Sequence, residues 1–141
     1  MSGYTPKSFG LHELVPPDVF HARGLRAWEL LDARALVTLQ ALRDALGPII
    51  VNDWRIGGTF TESGLRSFKS ATGAQDSQHK FGRAFDCKLR GVTPHEAHLY
   101  VLAHAAEFPL LTTIENPDAT PTWFHFDVRN HQREGIWLVN P

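Results

Sequence analysis

Eight histidines in a 141-residue chain give ample material for a metal site. Two of them sit where residue type and spacing could do chemistry. His79 and Asp86 lie seven residues apart in "SQHKFGRAFD", with Gly82 between them. Strand alternation through "GRAFD" turns Ala84 and Asp86 to one side and Phe85 and Cys87 to the other. A turn at Gly82 lets the His79 imidazole fold back toward the Asp86 carboxylate. In "TWFHFDV" the same period groups Trp123, His125 and Asp127 on one face, with Phe124, Phe126 and Val128 on an apolar back. Two histidines and one carboxylate would leave a fourth position open, the usual arrangement of a catalytic zinc. Zinc so held lowers the pKa of its water to roughly 7 and polarises a carbonyl. Spacing alone fits a hydrogen-bonded His–Asp pair beside an ordinary turn equally well, because H-x6-D is not specific.

The remaining histidines carry weaker signals. His12, His21 and His131 lie in irregular polar stretches and read as surface residues. His95 and His98 have helical i,i+3 spacing but no third partner; with His104 they read as a solvated helix face.

The elements that must position these residues follow from periodicity. Leu31, Ala35, Leu39, Leu42 and Leu46 form one stripe of a helix expected over Arg26–Leu46, stopped by Gly47-Pro48. "IIVNDW", Ile49–Trp54, reads as a buried strand. Arg55–Gln78 reads as a long functional or mobile loop with one helical turn near Gly64–Lys69. "GRAFDCKL" follows as a strand. "TPHEAHLYVLAHAAEF" reads as a helix opened by a capping box, Thr93 with Glu96, and Pro94 at its first position. "LLTTIE" and "TWFHFDV" are further strands joined by the turn-rich "NPDATP". Earlier, "FGLHELVPPDVF" holds one helical turn ended by Pro16-Pro17. The fold class is therefore α+β: a small, mostly antiparallel sheet with helices packed on one side, in a single domain spanning residues 1–141.

Composition narrows the function. A net charge of −1 and a pI near 6.7 offer no basic footprint for nucleic acid or an anionic membrane. Cys87, the lone cysteine, excludes an internal disulfide and a cysteine-based zinc site. The N-terminus is too polar for a secretory signal and no apolar run is long enough to span a membrane, so synthesis in the cytoplasm without membrane insertion is expected. Action on a cell wall would then need release by lysis or carriage on a virion. A monomer is expected.

"SQHKFGRAFD" with "WFHFD" downstream resembles the zinc peptidases of the D-Ala-D-Ala carboxypeptidase class, which share a hedgehog-like fold and include phage endolysins that cut the L-Ala–D-Glu bond of peptidoglycan. The resemblance runs from about Asn52 to Val128 and extends to the early "FGLHELVPPDVF", similar to phage-encoded members. It implies that an S-x-H-x6-D signature supplies His79 and Asp86 as zinc ligands and a W-x-H motif supplies His125. "SGLR", Ser63–Arg66, looks like the S-G-Y-R segment whose arginine contacts substrate, a role for Arg66 at an oxyanion or carboxylate. The implied substrate is a peptidoglycan stem peptide and the implied setting a phage lysis or tail-associated enzyme.

One position departs from that pattern. Many members carry a general base three residues before the last histidine, where this chain has Thr122. Glu115, at the end of the preceding strand, and Asp127, on the face of His125, are the carboxylates that could replace it. Glu115 is favoured, since a residue two along the strand more naturally buttresses its neighbour's imidazole. Asp118, in the turn, ranks below both. Trp54, Phe60, Phe81 and Trp123 are candidate groove-lining aromatics, with core packing an equal alternative. Two rival readings stay open: a zinc-containing module that binds wall peptides or a protein without cleaving, and a plain structural domain without metal.

Overall fold

The chain begins to fold around its prolines. In the computed structural model, which describes residues 3–141, Leu11–Glu13 forms a 3₁₀ turn. Pro17 then opens helix α1, Pro17–Arg23, from its first position. Proline has no N–H to leave unpaired there, and its fixed φ suits a helix start. The Pro16-Pro17 pair expected to end a turn thus also begins a helix.

The helix expected over Arg26–Leu46 is broken. Gly24–Leu30 is 3₁₀, and helix α2 runs Ala33–Leu46. Asp32 makes the break: its Oδ1 accepts from the Arg34 N–H at 2.9 Å, while its own N–H donates to Gly82 O at 3.0 Å. A residue that caps a helix and ties its backbone to a distant turn cannot also continue that helix. Helix α3, Pro94–Ala103, has the expected capping box of Thr93 and Glu96. It ends before the expected Phe108, giving way to a 3₁₀ turn at Ala105–Glu107.

Five strands, β1 (Ile49–Ile50), β2 (Ala84–Leu89), β3 (Thr113–Glu115), β4 (Phe124–Asp127) and β5 (Trp137–Val139), form one sheet in the order β1-β2-β4-β3-β5. Every pairing is antiparallel except β3 with β5. The α+β class and the mostly antiparallel sheet agree with the sequence pattern. β5 does not appear in that pattern, and β1 is shorter than the six-residue strand expected. After Ile50 the backbone leaves β2 because the Asn52 N–H donates to Glu13 O, while the Asn52 side chain bonds Val15 O and the Ser63 N–H.

Phe85 and Cys87 of β2, Ile114 of β3, and Phe124 and Phe126 of β4 share one core with Leu36, Leu39 and Leu42 of α2 and Ala97 and Val101 of α3. Burial of these side chains supplies the main driving force, about 1.5–3 kcal/mol for each large one. The opposite face of β2 and β4 is left for polar residues. The long loop is pinned rather than free: Leu65 N–H donates to Leu14 O at 2.8 Å, Arg66 N–H to His79 O at 3.1 Å, and Asp86 N–H to Ser63 O at 2.7 Å. The helical turn expected near Gly64–Lys69 is absent, because these backbone groups bond other segments instead. No helix among the described residues is long and apolar enough to cross a membrane.

Candidate metal centre

Sheet register assembles the site. Asp86 on β2 stands directly opposite His125 on β4, so both side chains rise from the same face. β3 pairs with the other edge of β4, Thr113 against Asp127 and Ile114 against Phe126. One step further along that ladder Glu115 faces His125. Three neighbouring strands thus set Asp86, His125 and Glu115 in a row. His79 enters from the 3₁₀ turn Gln78–Phe81, which ends at Gly82 with φ +68°. A Cβ at Gly82 would stand 2.0 Å from Leu30 O, so this turn both needs glycine's backbone freedom and leaves no room for a side chain.

The ligand atoms converge. His125 Nδ1 lies 2.8 Å from Asp86 Oδ1, and His79 Nε2 lies 3.3 Å from the same oxygen. One donor atom from each of His79, Asp86 and His125 falls within 4.8 Å of the others, and the three can hold a metal ion. Both imidazoles are nearly inaccessible to solvent. Their outer nitrogens are held in ways that suit ligation: His79 Nδ1 is 2.8 Å from Gly64 O, and His125 Nε2 is 2.9 Å from Asp127 Oδ2. An N–H committed outward leaves the inward nitrogen with its lone pair for the metal. The structure therefore gives Asp127 to the back of His125. It is wholly buried, and Arg129 grips both of its oxygens at 2.8 and 2.6 Å.

Electrostatics follow from this packing. Burial opposes charge on Asp86, but the hydrogen bonds from His125 and His79 outweigh it and hold its carboxyl far below the usual range. Burial likewise works against a charged His125, yet Asp127 and Asp86 on either side raise it to about 9. Asp127, which burial would push up, is held at about 2 by Arg129 and His125. Glu115 moves the other way: partial burial raises its carboxyl above the ordinary value. Its Oε1 is 3.3 Å from His125 Nδ1.

His79, Asp86, His125 and Glu115 line a cleft of about 370 Å³, together with Arg66, Trp123, Gln78 and Arg129. Arg66 is fixed at two points: Nε donates to Glu62 O at 2.9 Å and Nη2 meets Asp86 Oδ2 at 3.3 Å; Gly73 leaves room for Nη1, which would stand 2.6 Å from a Cβ there. Beyond the Asp86–Arg66–Trp123 ridge a second hollow of about 360 Å³ continues past Phe60, Ser63, Lys88 and Thr122. Asp86 thus borders both hollows, whereas His79 and His125 line the first alone.

Other sequence candidates fall elsewhere. Thr122 is exposed and lines only the second hollow. Asp118 pairs with His95 at 2.7 Å in an exposed position away from the cleft. Trp54 packs edge-on against Phe20 and His21 and donates to Val15 O, so it is not a groove residue. Phe60 lines the second hollow, where the Lys88 ammonium stands 4.0 Å over its ring. Phe81 lines a separate cleft. His104 stacks on Tyr100. His131, expected at the surface, is half-buried and structural, with Nε2 2.8 Å from Thr112 O and Nδ1 accepting from the Arg133 N–H.

Several contributors escape sequence reasoning. The Gly64 carbonyl belongs to a loop without periodicity. Lys88, lowered to about 8 by burial, donates to Val51 O, Ser63 Oγ and Asp86 O and so ties the segment after β1, the loop and β2 together on the face that carries Asp86. Arg129 did carry a signal: in "HFDVR" it shares the alternation face of Asp127. No family model matches the chain, and neither a curated protein nor a solved structure matches it significantly.

Proposed function

We propose that the protein is a zinc-dependent peptidase that hydrolyses peptide bonds in peptidoglycan stem peptides, with a hedgehog/DD-peptidase-like fold and a role in phage lysis or at a phage tail. The observation that carries this reading is the buried His79–Asp86–His125 group with a carboxylate, Glu115, beside His125 and a guanidinium, Arg66, against Asp86, all lining one cleft. Two imidazole nitrogens and one carboxylate oxygen are a donor set suited to zinc with an open position. The sequence resemblance of "SQHKFGRAFD", "SGLR" and "WFHFD" points the same way.

Zinc bound there would acidify a water molecule and polarise the scissile carbonyl. Glu115 takes the proton from the attacking water and passes it to the leaving amine; burial raises its carboxyl, which makes it a better proton acceptor than a solvated carboxylate. Arg66, immobilised by Glu62 O and Asp86, presents fixed positive charge to the oxygen on which negative charge develops. Asp127 keeps His125 in one tautomer and orientation, and Arg129 keeps Asp127 ionised. The two hollows that meet at Asp86, Arg66 and Trp123 are the room for substrate chain on either side of the scissile bond.

Thr122, where related motifs carry an acid, favours one alternative: a non-catalytic zinc-containing module that binds a wall peptide or protein. Peptidoglycan digestion separates the two. Purified protein incubated with peptidoglycan, with and without chelator, should release new termini identifiable by mass spectrometry only when chelator is absent. Zinc-loaded protein that frees no termini rejects the peptidase and leaves the binding module.

A further inference from the structure

The two hollows that meet at Asp86 differ in the groups they hold. Glu115, His79 and His125 line the first alone, whereas Arg66, Thr72, Asp86 and Trp123 line both. A base that returns its proton to the leaving amine has to lie within hydrogen-bond reach of that nitrogen. With Glu115 as the base, a step that rests on the peptidase reading, the amine side of the scissile bond runs into the first hollow. The acyl side, which leaves the carbonyl carbon in another direction, takes the second.

Charge separates the hollows further. In the first, Arg66 and Arg129 are outnumbered by Asp76, Asp86 and Glu115. In the second, Arg66 and Lys88 meet a single carboxylate, Asp86, which already pairs with Arg66 at 3.3 Å and lies 2.8 Å from His125 Nδ1. Lys88 is half-buried. Its Nζ stands 4.0 Å over the Phe60 ring and 2.8 Å from Ser63 Oγ, and both of those residues line the same hollow. Its other bonds go to Val51 O and, at 3.4 Å, to Asp86 O. All three acceptors are uncharged, and no carboxylate among the described residues lies within ion-pairing distance of Lys88. Asp53, whose charge also reaches Lys88, is not in the lining and spends Oδ1 on the Phe60 N–H at 2.9 Å. The long bond to Asp86 O is the one that a charged acceptor would displace. Ser63 Oγ, which accepts from Lys88, keeps its own hydrogen for the same acceptor.

We propose that Lys88 determines specificity on the acyl side: the second hollow takes an acyl-side residue bearing a free carboxylate, which binds Lys88 Nζ and Ser63 Oγ. The apolar part of that residue lies against Phe60 and Trp123.

The test titrates the full zinc-supplemented chain with two probes, N-acetyl-L-alanyl-D-glutamate and N-acetyl-L-alanyl-D-isoglutamine, followed by ¹⁵N–¹H spectra. Both present a γ-carboxylate like the one an acyl product would carry, and they differ only in a carboxylate replaced by a carboxamide. The glutamate probe should shift the Phe60, Ser63 and Thr122 amides. It should bind about tenfold more tightly than the isoglutamine probe, the worth of one charge-assisted hydrogen bond. Lys88→Gln should bring the two affinities within about twofold of each other, and Lys88→Arg, which keeps the charge, should retain most of the preference. Equal affinities in the unmodified chain overturn the proposal without any variant having to fold. A preference that survives Lys88→Gln in folded protein overturns it too, as do shifts confined to Gly73, Ala74 and Asn140 of the first hollow or the absence of shifts. Binding is read without turnover, so this failure is distinct from that of the peptidase. The preference with no termini freed from peptidoglycan keeps the carboxylate site and rejects the peptidase; freed termini with equal affinities do the reverse.

Discussion

Replacing Glu115 by glutamine tests the chemistry most sharply, because it removes a proton acceptor while keeping shape. Glu115 Oε1 lies 3.3 Å from His125 Nδ1, at the end of β3 and beside the ligands without being one of the convergent three. Burial raises its carboxyl above the ordinary value, which strengthens it as a proton acceptor. Loss of a positioned general base costs roughly 10²–10⁴ in kcat, which is about 2.7–5.5 kcal/mol of transition-state stabilisation. The amide still fills the same space, so zinc affinity should fall by no more than about tenfold, the effect of one lost charge in a partly screened site. The assay follows cleavage of a soluble stem peptide by chromatography, with zinc occupancy of each variant measured and matched at saturation. Glu115→Gln should retain zinc and lose at least about a hundredfold in kcat. Turnover within about threefold of the unmodified chain at full occupancy would show that Glu115 is not the base. Loss of zinc itself would instead move Glu115 into the ligand set.

Other expectations follow from the same geometry. Asp127→Asn releases the outer nitrogen of His125 and should weaken zinc about 10–100-fold in a chelator-competition titration; unchanged affinity would remove Asp127 from its supporting role. Gly82→Ala forces a side chain into a φ of +68° with its Cβ 2.0 Å from Leu30 O, costing at least about 2 kcal/mol and lowering Tm by roughly 6 °C or more; an unchanged Tm would contradict the tight turn that delivers His79. In the metal-free chain, His125 at about 9 lies above its unfolded value of roughly 6.5. Its contribution to stability is therefore complete below about pH 6.5 and lost as pH rises toward 9, whereas Asp127, held at about 2, loses its contribution as pH falls below about 4. Zinc binding at pH 7.5 should accordingly release about one proton from His125, read by calorimetry in buffers of different ionisation enthalpy; no release would argue against this imidazole as a ligand.

How far the fold could be read in advance depended on periodicity. The alternation in "GRAFD" and "WFHFD" places Asp86 and His125 on one face, and the antiparallel pairing of β3 with β4 across the turn-rich connection places Glu115 beside His125, so these residues come together as the pattern implies. The Thr93–Glu96 box is equally local. What escaped was held by long-range bonds that leave no period in the chain. Asp32 interrupts the helical stripe because its N–H reaches Gly82 O, fifty residues away. Asn52 ends β1 by bonding the N-terminal segment and the loop. The Arg55–Gln78 stretch has the composition of a mobile loop, yet Leu14, His79 and Asp86 stitch it to the rest. Only that stitching puts the Gly64 carbonyl behind His79. β5 was missed because three residues pairing in parallel to an edge are too few to show an alternation.

The central claim is that His79, Asp86 and His125 form one metal site, and zinc stoichiometry tests it most directly. Elemental analysis by mass spectrometry after dialysis against metal-free buffer should find one zinc per chain in the unmodified protein. The double variant His79→Ala, His125→Ala should retain essentially none while keeping its fold by circular dichroism. One equivalent of zinc persisting in that folded double variant, or none in the unmodified chain after zinc loading, would contradict the account.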